Sequence, residues 1–128
     1  MYQIGALKAF CDPAGVPLHH VKPHGALYNM AAKDPVLAAA ICRAVQAAAP
    51  GAVLLALSGS EMVKAANAIG LPVASEVFAD RGYQADDGST VTLQADSVCV
   101  HGDGPKALAF VQKISAALLA AGTAVAAF

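Results

Sequence analysis

Val53-Leu54-Leu55-Ala56-Leu57 is an unbroken apolar run of strand length, set between two stretches that carry helical signals. A strand that is apolar at every position must be covered on both faces, as in a parallel sheet flanked by helices. The helix before it has clear ends. Asp34 followed by Pro35 supplies an N-cap and a proline at the first helical position, and Gly51 stands just past the last turn. This helix runs through Val36, Leu37, Ile41 and Val45. The helix after the run starts from Ser58-Gly59-Ser60 and closes at Gly70, with Pro72 beyond.

Outward from this unit the pattern recurs. Residues 2–10 have helical apolar spacing and stop at Asp12-Pro13 and Gly15, and residues 18–21 read as a short buried strand. Residues 73–78 form a third strand and 97–100 a fourth, with a turn at Asp86-Asp87-Gly88 between them. Gly104-Pro105 opens a helix that Gly122 closes before a last apolar segment, 124–128. The expected order is strand, helix, strand, helix, strand, loop, strand, helix. That order is an α/β fold with a parallel sheet, in which ligands bind beyond the carboxyl ends of the strands.

At 128 residues the chain supports a single domain, 1–128, with a real core. Apolar residues make up 57% and charged ones 13%, and the mean hydropathy of +0.55 is high for a soluble monomer. Surface buried against another chain is therefore expected, as in a homo-oligomer. No apolar run reaches the roughly 18 residues of a membrane span. Met1-Tyr2-Gln3-Ile4-Gly5 lacks the basic region and apolar core of an export signal, so the cytoplasm is the expected compartment. A net charge of −1 with dispersed Lys and Arg gives no footprint for nucleic acid or anionic lipid. Cys11, Cys42 and Cys99 make neither a CxxC pair nor an even framework, and Cys42 and Cys99 read as reduced core thiols.

Three of the strands empty into polar clusters: Lys22 with His24, Glu76 with Asp80 and Arg81, and His101 with Asp103. In a parallel sheet these gather at one end. At the first junction Pro23 forbids continuation in a central ladder and Gly25 lets the backbone turn sharply. Imidazoles, carboxylates and fixed cations together suit general acid and base work with stabilisation of a developing anion, the requirements of hydrolysis or acyl chemistry. His24, His101 and Asp80 are the candidate bases, and Lys22 and Arg81 would hold a carboxylate, phosphate or oxyanion.

Plainer readings stand beside these. Lys22 can be a solvated strand end, His24 a turn residue, Glu76 the structural partner of Arg81, and Asp103 the cap of the following helix. Ser58 and Ser60 read as helix caps, since Gly59 alone does not make a GxSxG nucleophile elbow. Tyr28, Tyr83 and Phe78 read as wall packing. His24, His101 and Asp103 offer nitrogen and oxygen to a metal but lack short ligand spacing. No GxxxxGK[ST] loop marks a nucleotide site.

Taken together, Val-Lys-Pro-His-Gly-Ala-Leu-Tyr-Asn at 21–29, Glu-Val-Phe-Ala-Asp-Arg-Gly-Tyr at 76–83 and Val-His-Gly-Asp at 100–103 resemble, in order, the lactam-utilisation (LamB/YcsF) family. Residues 2–7 and the C-terminal helix resemble it too, so the likeness covers nearly all of the chain. It implies a β/α barrel related to the polysaccharide deacetylases, present here as a partial barrel with parallel strands. It also implies the role of the A subunit in an ATP-dependent 5-oxoprolinase, which opens 5-oxo-L-proline to L-glutamate with ATP and Mg²⁺ beside subunits B and C. Carried over residue by residue, His24, Asp80 and His101 become catalytic, and Lys22, Glu76, Arg81 and Asp103 bind substrate or phosphate. No residue is assigned to a metal.

Two departures qualify the likeness. The family's N-terminal half, rich in acidic and histidine motifs, has no counterpart here, so the chain resembles the C-terminal part of a barrel that takes about 250 residues. Between Asp87-Gly88 and Ala95-Asp96 the family has a longer segment, where only 89–94 stands here. The alternatives to the lactam reading are a metal-dependent deacetylase or amidohydrolase, and an inactive truncated interaction module.

Overall fold

The apolar run at 53–57 forms a strand whose three central residues are buried, and a second strand pairs with it on each side in parallel. The computed structural model describes residues 1–79, 88–89 and 91–126. Its elements are α1 (Tyr2–Cys11), β1 (His20–Val21), α2 (Gly25–Ala31), α3 (Pro35–Ala48), β2 (Val53–Leu57), α4 (Glu61–Ala68), β3 (Val73–Phe78), β4 (Ser97–Cys99) and α5 (Ala107–Ala120). The strands make one sheet in the order β1-β2-β3-β4. β1 pairs with β2 through His20↔Val53 and Val21↔Leu54, and β2 pairs with β3 from Leu54↔Val73 to Leu57↔Glu76, both in parallel. The expected α/β class and parallel pairing are observed.

The chain divides into two compact units, Met1–Val77 with Thr92–Ser97, and Phe78–Val91 with Val98–Phe128. In the first, α3 and α4 pack against each other through small or flexible side chains. Ala38, Cys42 and Val45 are buried on α3, and Met62 and Ala66 on α4. Leu54, Met62 and Cys42 are its largest fully buried side chains. The start of α3 is fixed as expected: Asp34 Oδ1 accepts from the amides of Val36 at 2.9 Å and Leu37 at 3.1 Å, satisfying two donors that the helix leaves without intrahelical partners. The Cys42 thiol donates to the Met62 carbonyl at 3.6 Å, and burial pushes its pKa up.

In the second unit, the Ala79 amide bonds the Cys99 carbonyl at 3.0 Å. No residue of α5 is buried, and Leu108, Phe110, Val111 and Leu119 are exposed. α1 likewise buries none of its residues and exposes Tyr2, Leu7 and Phe10. Among the described residues, no helix is long and apolar enough to cross a membrane.

Several expectations are corrected. β1 is confined to His20–Val21 rather than 18–21, and β4 ends at Cys99. Where only a polar junction was expected after β1, α2 forms: Gly25 takes φ +57 and turns the chain, and Tyr28 and Ala31 supply a buried side. Cys99 is half-buried rather than a core thiol.

Leu54→Ala is expected to lower the unfolding free energy by about 2–5 kcal/mol and Asp34→Ala by about 0.5–2 kcal/mol, read as shifts of the urea midpoint at constant slope. Cys42 is expected to react with an aromatic disulfide reagent only as fast as the protein opens, while half-buried Cys11 reacts ahead of it; equal rates would contradict the burial described.

Candidate functional site

The sheet register decides which side chains meet. Partners in adjacent parallel strands share a face, so Leu55 with Ala74 and Leu57 with Glu76 lie on one side of the sheet. Alternation along β1 puts Val21 with Leu54 on the other side and brings Lys22, one step past the strand, back to the face of Glu76. The side chains meet there. Lys22 Nζ donates to Glu76 Oε1 at 2.6 Å, forming an ion pair whose side chains are 19% and 3% exposed. Tyr28, carried on α2, donates its hydroxyl to Glu76 Oε2 at 3.0 Å. The Lys22 ammonium also lies 5.6 Å from the centroid of the Tyr28 ring, within range of a cation–π attraction.

A carboxylate withdrawn this far from water is tolerable only when both oxygens are answered, because desolvation otherwise outweighs any local gain. Here each oxygen has its own donor. The first unit also fixes the strand that carries Glu76: the Ser58 amide bonds the Glu76 carbonyl at 2.9 Å, and Ser75 exchanges bonds with Asp96, whose Oδ2 and amide lie 2.8 Å from the Ser75 amide and carbonyl.

Lys22 and Glu76 are thus brought together, as each other's partners. The Glu76–Arg81 pairing considered from sequence involves a residue outside the described set, as do Asp80 and Tyr83. His24 is exposed and stands at the N-cap of α2 without a side-chain cap bond. In the second unit, His101 is half-buried and its ring stacks parallel on Phe78, with centroids 5.4 Å apart and an interplanar angle of 4°. Asp103 is exposed and does not cap α5, whose N-cap position falls on Lys106. The serines also depart from the capping reading. Ser58 Oγ donates to the Gln94 carbonyl at 2.7 Å, and Ser60 occupies the α4 N-cap with its Oγ buried and without a partner among the described residues. No three His, Cys, Asp or Glu side chains among the described residues come together as a metal site.

Tyr28 is one of the three aromatic residues read from the sequence as wall packing. The signal that marks it is the apolar set Ala26, Leu27, Tyr28 and Ala31 after the Gly25 turn, which is the spacing of a short helix.

The profile of the LamB/YcsF family matches residues 1–89 and 84–128. The chain is 47% identical over 157 positions to the 5-oxoprolinase A subunit of Tolumonas auensis, a match covering 95% of this chain and 62% of that protein. It is 45% identical to the 5-oxoprolinase A subunit of Clostridium beijerinckii, covering 91% of this chain and 60% of the relative. The crystal structure of the lactam utilization protein from Thermus thermophilus superposes with a TM-score of 0.81 at 36% identity, covering 99% of this chain and 64% of that one. The chain therefore spans about three fifths of the length of the curated relatives it matches. The aligned 157 positions exceed the 128 residues present, so the Tolumonas relative carries residues without a counterpart here. The two matched pieces overlap at 84–89, next to the stretch where a shorter loop was expected.

Glu76→Ala is expected to destabilise the protein by about 3–5 kcal/mol, because it leaves the part-buried Lys22 without its carboxylate. A double-mutant cycle with Lys22→Met should show the two losses to be strongly non-additive; additive losses in the urea midpoints would mean that the pair carries no coupling.

Proposed function

The chain belongs to the LamB/YcsF family, and on that premise we propose that it acts as the A subunit of an ATP-dependent 5-oxoprolinase, a hydrolase that opens the ring of 5-oxo-L-proline to L-glutamate in the cytoplasm together with subunits B and C. The observation that carries this reading is the buried cluster of Lys22, Tyr28 and Glu76. It joins two of the motifs that carry the resemblance and stands where strand ends of a parallel sheet offer a ligand site.

The substrate is a five-membered lactam bearing a carboxylate. Ring closure is intramolecular and so entropically favoured, which makes hydrolysis unfavourable without coupling to ATP. Attack of the lactam oxygen on the γ-phosphorus of ATP breaks the bond to ADP and makes the ring carbon electrophilic. Water then adds to that carbon, the C–N bond breaks as the nitrogen takes up a proton, and a second water releases phosphate from the resulting acyl phosphate. The products are glutamate, ADP and phosphate. Lys22, Arg81 and Asp103 bind the substrate carboxylate or the transferred phosphate. Asp80 or His24 orients the attacking water, and His101 delivers the proton to the ring nitrogen. ATP with Mg²⁺ is the co-substrate and enters through the partner subunits or a site shared with them.

Glutamate release from 5-oxoproline, ATP and Mg²⁺, with subunits B and C present, tests the reading. Turnover is expected with the unaltered chain, falling about 10²–10⁴-fold in Asp80→Asn and in His24→Ala if those groups manage the proton transfers. Near-normal turnover in both variants would overturn the residue roles, and no turnover from folded, unaltered protein would overturn the function.

A further inference from the structure

We infer that Tyr28 and Glu76 are positioning residues for Lys22, holding its ammonium so that its charge is presented to the carboxylate of a small anionic substrate; this rests on the reading of Lys22 given above. A lysine ammonium is a point charge on a flexible four-carbon stem, and fixing that stem costs rotamer entropy. Recognition of a small carboxylate improves when that cost is met before the substrate arrives. The cluster has the required parts. Glu76 Oε1 takes the ammonium at 2.6 Å, Glu76 Oε2 is itself held by the Tyr28 hydroxyl at 3.0 Å, and the Tyr28 ring lies 5.6 Å from the same ammonium. Tyr28 therefore touches Lys22 through its ring and controls Glu76 through its hydroxyl.

Exposure is graded in the matching direction. The Lys22 side chain is 19% exposed and that of Glu76 is 3% exposed, and Tyr28 as a whole residue is 4% exposed. Lys22 is the most exposed member of the cluster. Glu76, with one oxygen committed to each donor, serves as the internal acceptor that aims Lys22 and does not itself bind substrate. This changes its role from the one the resemblance implied, and it gives Tyr28 a role beyond wall packing.

Tyr28→Phe removes the hydroxyl and keeps the ring. In the enzyme reconstituted with subunits B and C, it is expected to raise KM for 5-oxoproline about 2–10-fold, the equivalent of one hydrogen bond. kcat should stay within about twofold and KM for ATP should not change. In a Lys22→Met background the same substitution should add no further rise in KM. A fall in kcat alone, or an undiminished rise in KM without Lys22, would overturn the proposal. Should the unaltered enzyme make no glutamate, the functional reading fails, and the positioning is judged separately by ¹⁵N spectroscopy of the lysine ammonium groups. The Lys22 signal, assigned by its loss in Lys22→Met, is expected to shift or broaden in Tyr28→Phe, confirmed folded by circular dichroism. An unchanged signal would overturn the proposal.

Discussion

A carboxylate held at 2% exposure in the middle of a sheet is the constraint on which the first unit depends. Glu76 lies 54 residues from Lys22 and 48 from Tyr28, so its partners can reach it only if β1, β2 and β3 keep the observed register. A slip of one residue in β3 would send Glu76 to the opposite face, together with Ala74 and Phe78. Apolar burial alone does not set such a register sharply here, because β2 is apolar at every position and accepts either face as core. The ion pair supplies the discrimination that the apolar run lacks. That is a role in which a buried charge adds specificity to the fold even where its net contribution to stability is small.

The support behind this face is built differently. α3 and α4 meet through alanines, a cysteine and a methionine, which lets two helices approach closely and leaves few polar groups to satisfy. The Cys42 thiol bond to the Met62 carbonyl crosses that contact. The Glu61 amide, at the start of α4, bonds the Ala32 carbonyl beyond α2 at 3.0 Å, so the helix that carries Tyr28 is tied to the same packed pair. Tyr28 is thereby held on a rigid support.

Much of the architecture was legible because its signals are local. The bounds of β2 follow from an apolar run ended by Ser58, and the start of α3 follows from Asp34-Pro35. α2 was hidden because Pro23 and Gly25 are strand and turn breakers, and only the buried side formed by Tyr28 and Ala31 shows that a helix resumes behind them. The site was legible as a set of residue types but not as a set of pairs. Spacing along the chain pointed to Arg81 beside Glu76, and the pairing with Lys22 shows only once three strands are placed side by side. Ser60 shows the same limit in reverse. It occupies the cap position that its sequence context announces, but its hydroxyl makes no cap bond.

The apolar excess in the composition also finds its place. The fully buried core of the first unit is made largely of alanine, with Leu54, Met62 and Cys42 as its largest members, so the bulkier apolar residues are not all spent there. They stand on α1 and α5, where Tyr2 is 90% and Leu108 72% exposed. Those side chains are exposed, whereas Tyr28 and Glu76 are withdrawn from water. High hydropathy and a polar site are thus properties of different residues. The composition bears on the helices α1 and α5, and the chemistry has to be argued from the few polar groups that the sheet brings together.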